Sequence, residues 1–352
     1  MFKPLFVALA FAAAAPSAQA WGADGHQTVG TIAAGLIKGS AAEARVANLL
    51  AGLSLAQATL WADCAKGVSP DTGYSYPNPG KYADCAPLET PTLIAEMADY
   101  VRRNDAQCRP AQGEETCHKQ YHYTDVALQR SRYAQGFAGT SPHDIVGAMA
   151  AAIGVLQGQP AAPPFGIQSP REALLLLAHL MGDVHQPLHV GAVYLNAQGQ
   201  RVDPDKTGFD PANFTRGGNQ LIKVQAKPAS PASPVGLAEP ALAFRPPNLH
   251  SIWDDVPASL ASRHVDATWL AAARKLPLTA GAPQGWPALW ASGALEQARL
   301  AHQGLGFAAK QGSTWPVSLP ADYNDRIAQI KKRQLTLAGA RLAQLLKAVF
   351  PG

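Results

Sequence analysis

The chain has 352 residues, of which 47% are hydrophobic and 15% charged, and its formal net charge is +4. That length and apolar content imply a real core, built as one large domain or two modest ones. The positive charge is too weak to argue for duplex DNA on charge alone, and leaves an anionic substrate to be held by something other than lysines.

Residues 1–20 read as a cleavable secretory signal. Lys3 gives a positive start, Leu5 to Ala15 an apolar stretch, and Ala18-Gln19-Ala20 a small-x-small cleavage site. The apolar run is shorter than the roughly 20 residues a membrane span needs. No later segment has about 18 uncharged apolar residues, so the expected product is soluble, without a membrane anchor, and secreted or periplasmic. Cleavage would make Trp21 the first residue of a single domain over 21–352.

Apolar residues recur at three-to-four spacing over 24–38, 41–51, 89–104, 142–157, 169–186, 255–275, 283–309 and 319–349, each predicted as a helix. Asp24, Ser141-Pro142 and Ser169-Pro170 supply start signals. Residues 169–186, "SPREALLLLAHLMGDVHQ", are apolar almost all round, which predicts a central buried helix. Strand signals are thin: "NQLIKVQA" (219–226) reads as one strand of a small hairpin. Loops rich in Pro and Gly cover 66–87, 158–168, 192–218 and 226–240, the last a low-complexity surface excursion. The expected fold is all-α, a single globular multi-helix domain with long loops and at most a small hairpin.

Four cysteines, Cys64, Cys85, Cys108 and Cys117, lie in the mature part. An even count in an exported chain suggests two disulfides. Three pairings are open; Cys64–Cys85 with Cys108–Cys117 closes the shortest loops and is preferred. None has the C-x-x-C spacing of a cysteine zinc site.

The chemistry concentrates in "HLMGDVHQPLH" (179–189). His179 and Asp183 are four apart and share a helix face. Pro187 turns the chain out of the helix and lets His189 return toward that face. A buried helix carrying such residues needs partners for them, because unpaired buried polar groups cost several kcal/mol. The pattern repeats in "HSIWD", with His250 and Asp254, while Asp63, His122 and His26 sit in helix-rich or aromatic contexts. One His-x-x-x-Asp is as readily a core hydrogen bond as a ligand pair. Two, with three further candidates, point to a multinuclear zinc site. His118, His143, His264 and His302 are expected at the surface, and His185 as a structural neighbour of the site.

The motifs "WGADGH", "WADCAK", "YHYTD", "HLMGDVHQPLHVG", "GGN" and "NLHSIWD" follow one another from 21 to 254. In this order the chain resembles the type I zinc-dependent single-strand-specific nucleases, the S-one/P-one family, with its phospholipase C/nuclease fold. The resemblance implies three zinc ions. One would be held by Asp63, His122, His179 and Asp183, a second by Trp21, His26 and the bridging Asp183, and a third by His189, His250 and Asp254. Trp21 would bind through its own α-amino nitrogen and carbonyl oxygen, which requires cleavage after Ala20.

The resemblance further implies hydrolysis of single-stranded DNA and RNA to 5′-phosphorylated products, with a 3′-nucleotidase activity, by a monomer without a stable protein partner. Asp63 and Asp183 would act at the catalytic metals. Lys66 stands where relatives carry a phosphate-facing arginine, so the charge survives and the bidentate fork is lost. Tyr123 would stack on a base, Asp125 bond its edge, and Asn219 of "GGN" orient a ligand or contact substrate. The chain departs from the pattern at 192–216, which reads as an insertion forming a surface loop near the site. Its "DPDKTGFD" hints at a calcium loop, but the twelfth position from Asp203 is Phe214 rather than Glu. The rivals are a zinc phospholipase C, which would end the third site with His-x-x-x-Glu where this chain has Asp254, and a non-catalytic exported zinc-binding protein.

Overall fold

The apolar run at 173–181 forms the axis of the molecule. In the computed structural model, which describes residues 21–77, 79–107, 109–110, 114–115, 117–224 and 246–352, thirteen α-helices form among the described residues. They are α1 (Gly22–Ile37), α2 (Ala41–Leu50), α3 (Leu55–Ala58), α4 (Trp61–Ala65), α5 (Pro91–Gln107), α6 (Cys117–Gln120) and α7 (Ile145–Leu156), then α8 (Pro170–Asp183), α9 (Pro204–Thr207), α10 (Leu249–Asp254), α11 (Ala267–Arg274), α12 (Trp286–Ala301) and α13 (Tyr323–Val349). The leader 1–20, Cys108 and the excursion 226–240 lie outside the described residues.

Helix α8 starts where its signals place it. The Ser169 hydroxyl accepts the Glu172 N–H at 3.1 Å, and Pro170 occupies the first turn, where its missing N–H costs nothing. Every residue from Ala173 to Asp183 is buried, under a shell formed by α1, α2, α4, α7 and α13. Burial of each leucine here is worth about 1.5–3 kcal/mol, so a charge at Leu174, Leu176 or Leu177 would break the core before it reached the site. The long amphipathic α13 runs along α1. A Cβ on Gly339 would lie 2.5 Å from Ile32 Cβ, so this close crossing requires glycine.

Three boundaries differ from the sequence expectation. The helix predicted over 255–275 is two single 3₁₀ turns followed by α11, because Pro257 drives its predecessor out of the helical region and Asp266 caps a fresh start at Trp269 N–H. The helix predicted over 283–309 ends at Ala301, and Gly304, at φ +76°, turns the chain into a strand. The strand predicted over 219–226 is not half of a hairpin. It is β5 of the seven short strands found among the described residues: β1 (Val126–Ala127), β2 (Gly191–Ala192), β3 (Tyr194–Leu195), β4 (Arg201–Val202), β5 (Leu221–Lys223), β6 (Gly306–Phe307) and β7 (Trp315–Ser318). β5 pairs in parallel with β7, which pairs antiparallel with β6; β1–β2 is parallel and β3–β4 antiparallel.

Cys64 and Cys85 form a disulfide that ties α4 to the 3₁₀ turn Ala83–Leu88. Cys117 is also disulfide-bonded; its expected partner Cys108 is outside the described residues. His118 and His302 are buried rather than at the surface, each 1% exposed. Their own helices turn them inward, His118 onto Asp105 at 2.9 Å and His302 onto the Ala298 carbonyl at 2.8 Å. His264 is exposed as expected, and the half-buried His143 pairs with Glu114 at 2.8 Å.

Candidate metal centre

The predicted ligands arrive from several elements around the C-terminal end of α8. α1 brings His26, α4 Asp63, the turn after α6 His122, and α8 itself His179 and Asp183. The 3₁₀ turn Pro187–His189 brings His189, and α10 His250 and Asp254. Asn248 caps α10 through the Ser251 N–H at 2.7 Å, which sets the helix that carries the last two.

Asp183 is the hub. Its Oδ1 lies 3.3 Å from His26 Nε2, and its Oδ2 lies 2.8 Å from His122 Nδ1 and 3.0 Å from His179 Nε2. Asp63 Oδ1 stands 3.5 Å from His179 Nε2 and 3.9 Å from His122 Nδ1. His26 and His179 stack with ring centroids 4.0 Å apart. That approach depends on Gly182, where a Cβ would fall 2.6 Å from His26 Nδ1.

The donor atoms fall into three groups able to hold an ion: His26, His179 and Asp183; Asp63, His122 and His179; and His189, His250 and Asp254. The third reproduces the predicted set. In the first two, His179 reaches both groups, whereas the resemblance implies it in a single set with Asp63, His122 and Asp183.

Backbone carbonyls fix the histidine tautomers. His179 Nδ1 faces Thr59 O at 2.6 Å, His189 Nδ1 faces His122 O at 2.8 Å and His250 Nδ1 faces Gly217 O at 2.8 Å. A carbonyl only accepts, so each Nδ1 carries the hydrogen and each ring turns its Nε2 inward. Gly217 belongs to the predicted "GGN" turn. Its φ is +55°, and a Cβ there would sit 2.5 Å from Leu188 O, so only glycine brings this carbonyl under His250.

The electrostatics fit a bound cation. Burial opposes ionisation of Asp183, yet His179, His189 and His122 outweigh it and hold its carboxyl well below the usual range. Lys66, His179 and His122 likewise overcome burial at Asp63 and depress it. Burial pushes His189 down to about 3 and lowers His26 and His122, keeping these rings neutral. His179 is the exception: Asp183 and Asp63 outweigh burial and raise it.

Burial raises Asp254 to about 6. His26 Nδ1 and Asp254 Oδ2 are buried without a hydrogen-bond partner. Groups so placed cost free energy unless something pairs them, and this His/Asp donor set suits zinc.

Around the centre, Trp21 is fully buried, and its indole N–H donates to Gly182 O at 2.8 Å. Its backbone N–H is hydrogen-bonded to the Asp254 carboxylate. Lys66 Nζ lies 2.7 Å from Asp63 Oδ1. Tyr123 and Asp125 line one cavity of about 240 Å³ beside His122. Burial, followed by nearby Glu115, pushes the Asp125 carboxyl up to about 8.

Asn219 stays within its own turn, its amide donating to Arg216 O at 3.0 Å. His185 is satisfied on both nitrogens, by Met181 O and Arg341, and joins no donor group. Sequence reasoning missed Gln186, whose amide donates to Asp254 Oδ1 at 2.8 Å. A buried polar residue inside the histidine-rich motif was the signal for it.

A comparison with curated proteins finds no match. A family model described as S1/P1 Nuclease matches residues 21–351, nearly the whole chain and a range that contains every candidate ligand above. The match covers nearly the whole chain, helical core and three donor groups included, and the chain belongs to the S1/P1 nuclease family.

Proposed function

We propose that the protein is an exported, zinc-dependent endonuclease. It hydrolyses phosphodiester bonds of single-stranded DNA and RNA to 5′-phosphorylated products and carries a 3′-nucleotidase activity. The observation that carries the metal reading is His189 Nε2 lying 3.1 Å from His250 Nε2, with both Nδ1 hydrogens committed to carbonyls. Two lone pairs that close are accommodated by a shared cation.

His189, His250 and Asp254 would hold one zinc ion, Asp63, His122, His179 and Asp183 a second, and Trp21, His26 and Asp183 a third. Bound zinc lowers the pKa of water from about 15.7 toward 7 and polarises a phosphoryl oxygen. The chain's own groups prepare the rest. Asp183, kept ionised by its histidines, offers one oxygen to each side of the paired groups. Lys66, anchored on Asp63, adds positive charge at the edge of the centre for the phosphate. Tyr123 offers a ring face to an unpaired base. Asp125, protonated at neutral pH, donates to the base edge.

The Cys64–Cys85 disulfide supports an oxidising compartment, and no described helix is long and apolar enough to cross a membrane. The test is metal analysis of the protein beginning at Trp21, with assays on single- and double-stranded DNA, RNA and phosphatidylcholine. Three zinc ions per chain and preferential cleavage of the single strands are expected. Hydrolysis of phosphatidylcholine instead, or a zinc-loaded protein without phosphodiesterase activity, would overturn the reading.

A further inference from the structure

Segment 192–216, where the chain departs from the family pattern, folds against the candidate base cavity. Its acidic residues hold it there rather than holding a cation. Asp203 caps α9 and pairs with Arg130, Asp205 Oδ2 lies 3.2 Å from Arg130 Nε, and Asp205 Oδ1 accepts the Ala138 N–H at 2.7 Å. The Tyr194 hydroxyl donates to Asp125 O at 2.8 Å, joining the segment to the backbone of a cavity residue.

An aromatic core separate from the main one rigidifies the segment. Tyr194 stacks on Phe214 at 5.6 Å between centroids, and Phe209 sets its edge against both, at 6.2 and 5.7 Å. Phe209 is half-buried, while residues 205–208 and 210–212 around it are exposed. Together with Phe137 and Phe214 it lines the cavity of about 240 Å³ that also holds Tyr123 and Asp125. That volume is below the roughly 300–1,000 Å³ of pockets for drug-sized ligands and suits one planar base.

Resting on the nuclease reading above, we propose that Phe209 is a base-contacting, specificity-determining residue: segment 192–216 supplies a second aromatic wall that holds an unpaired base together with Tyr123. A base gripped by two walls has left its own stack, which a single strand permits at little cost and a duplex resists. The pre-packed edge contacts to Tyr194 and Phe214 mean that little side-chain freedom is lost on binding.

The experiment measures KM for a single-stranded oligonucleotide and for an abasic strand of equal length, in the wild type and in Phe209→Ala, Phe209→Leu and Phe209→Tyr. Zinc content and melting temperature are recorded for each. The wild-type advantage of the base-bearing strand should shrink about 5- to 150-fold in the Ala variant, the range for loss of one base–aromatic stack. The Leu variant, which keeps apolar packing but has no flat face, should lose the advantage too, and the Tyr variant should keep it. An unchanged advantage in Ala and Leu, or an equal rise in KM on both strands, would overturn the proposal while wild-type cleavage stands. Wild-type protein that cleaves neither strand would overturn the nuclease reading and this proposal with it.

Discussion

Each histidine in this fold takes its role from its second nitrogen. In His179, His189 and His250 the Nδ1–H is spent on a carbonyl and Nε2 is turned toward the centre; in His185 both nitrogens are used by protein groups outside it. The same reasoning applies to Trp21. Its side chain is locked by Gly182 O, its φ is +46°, and its backbone nitrogen already faces Asp254. If its free amine is a ligand, one extra residue before Trp21 turns that nitrogen into an amide and moves the new amine about 3.3–3.6 Å along the chain. Protein with the extra residue should retain its helical circular dichroism but lose zinc and most of its nuclease rate. Equal zinc per chain and equal rate in the two forms would make the terminus a bystander.

Two elements carry supports that can be tested without touching a ligand. α10 holds His250 and Asp254 yet is only six residues long, so its terminal carbonyls need partners. Lys331, reaching from α13 and 3% exposed, donates to Ile252 O at 2.7 Å and Asp255 O at 2.5 Å. Lys331→Met keeps the stem but strands these carbonyls, a loss of about 1–3 kcal/mol. Zinc should then leave the third group first, with metal analysis giving about two ions per chain; three retained ions would show that α10 stands without the lysine.

α7 tests pH. Asp144 caps it by accepting Val146 and Gly147 N–H, and burial pushes its carboxyl up to about 6. Because the folded value lies above the ordinary 3.8, this group's stabilising contribution is full below about pH 4 and is lost as pH rises through 6. Asp144→Asn cannot ionise. Its stability relative to wild type should therefore improve between pH 4 and 7, by about 3 kcal/mol at the upper bound of the shift. A difference that stays flat across that range in paired denaturant titrations would refute the assignment.

At the scale of the whole molecule, α1, α4, α8 and α10 converge on one point, and the orphaned donor atoms there are buried. A cation bound at the centre would therefore help hold the four helices together. Chelation should lower the melting temperature as well as abolish turnover, since a ligand bound only to the folded state contributes about 2.7 kcal/mol at a hundredfold excess over Kd. Calorimetry with chelator and with zinc added back reads this directly. An unchanged melting temperature on complete metal removal would mean that the helices pack without help from the centre.

The sequence by itself determined which residues could act and which helices carry them. His179 with Asp183 and His250 with Asp254 keep the four-residue spacing of one helix face, and Ser169-Pro170 and the leucine run mark α8, because helical geometry is a local property written in spacing. The family motifs were legible in the same way. Tertiary structure alone decided the rest. Thr59, His122 and Gly217 lend carbonyls to histidines 120, 67 and 33 residues away, and a carbonyl carries no signature in the sequence. His179 reaches two donor groups, β5 pairs in parallel with β7, and Phe209 and Tyr123 line one cavity. These depend on which segments meet after collapse, and local spacing says nothing about contacts made across the chain.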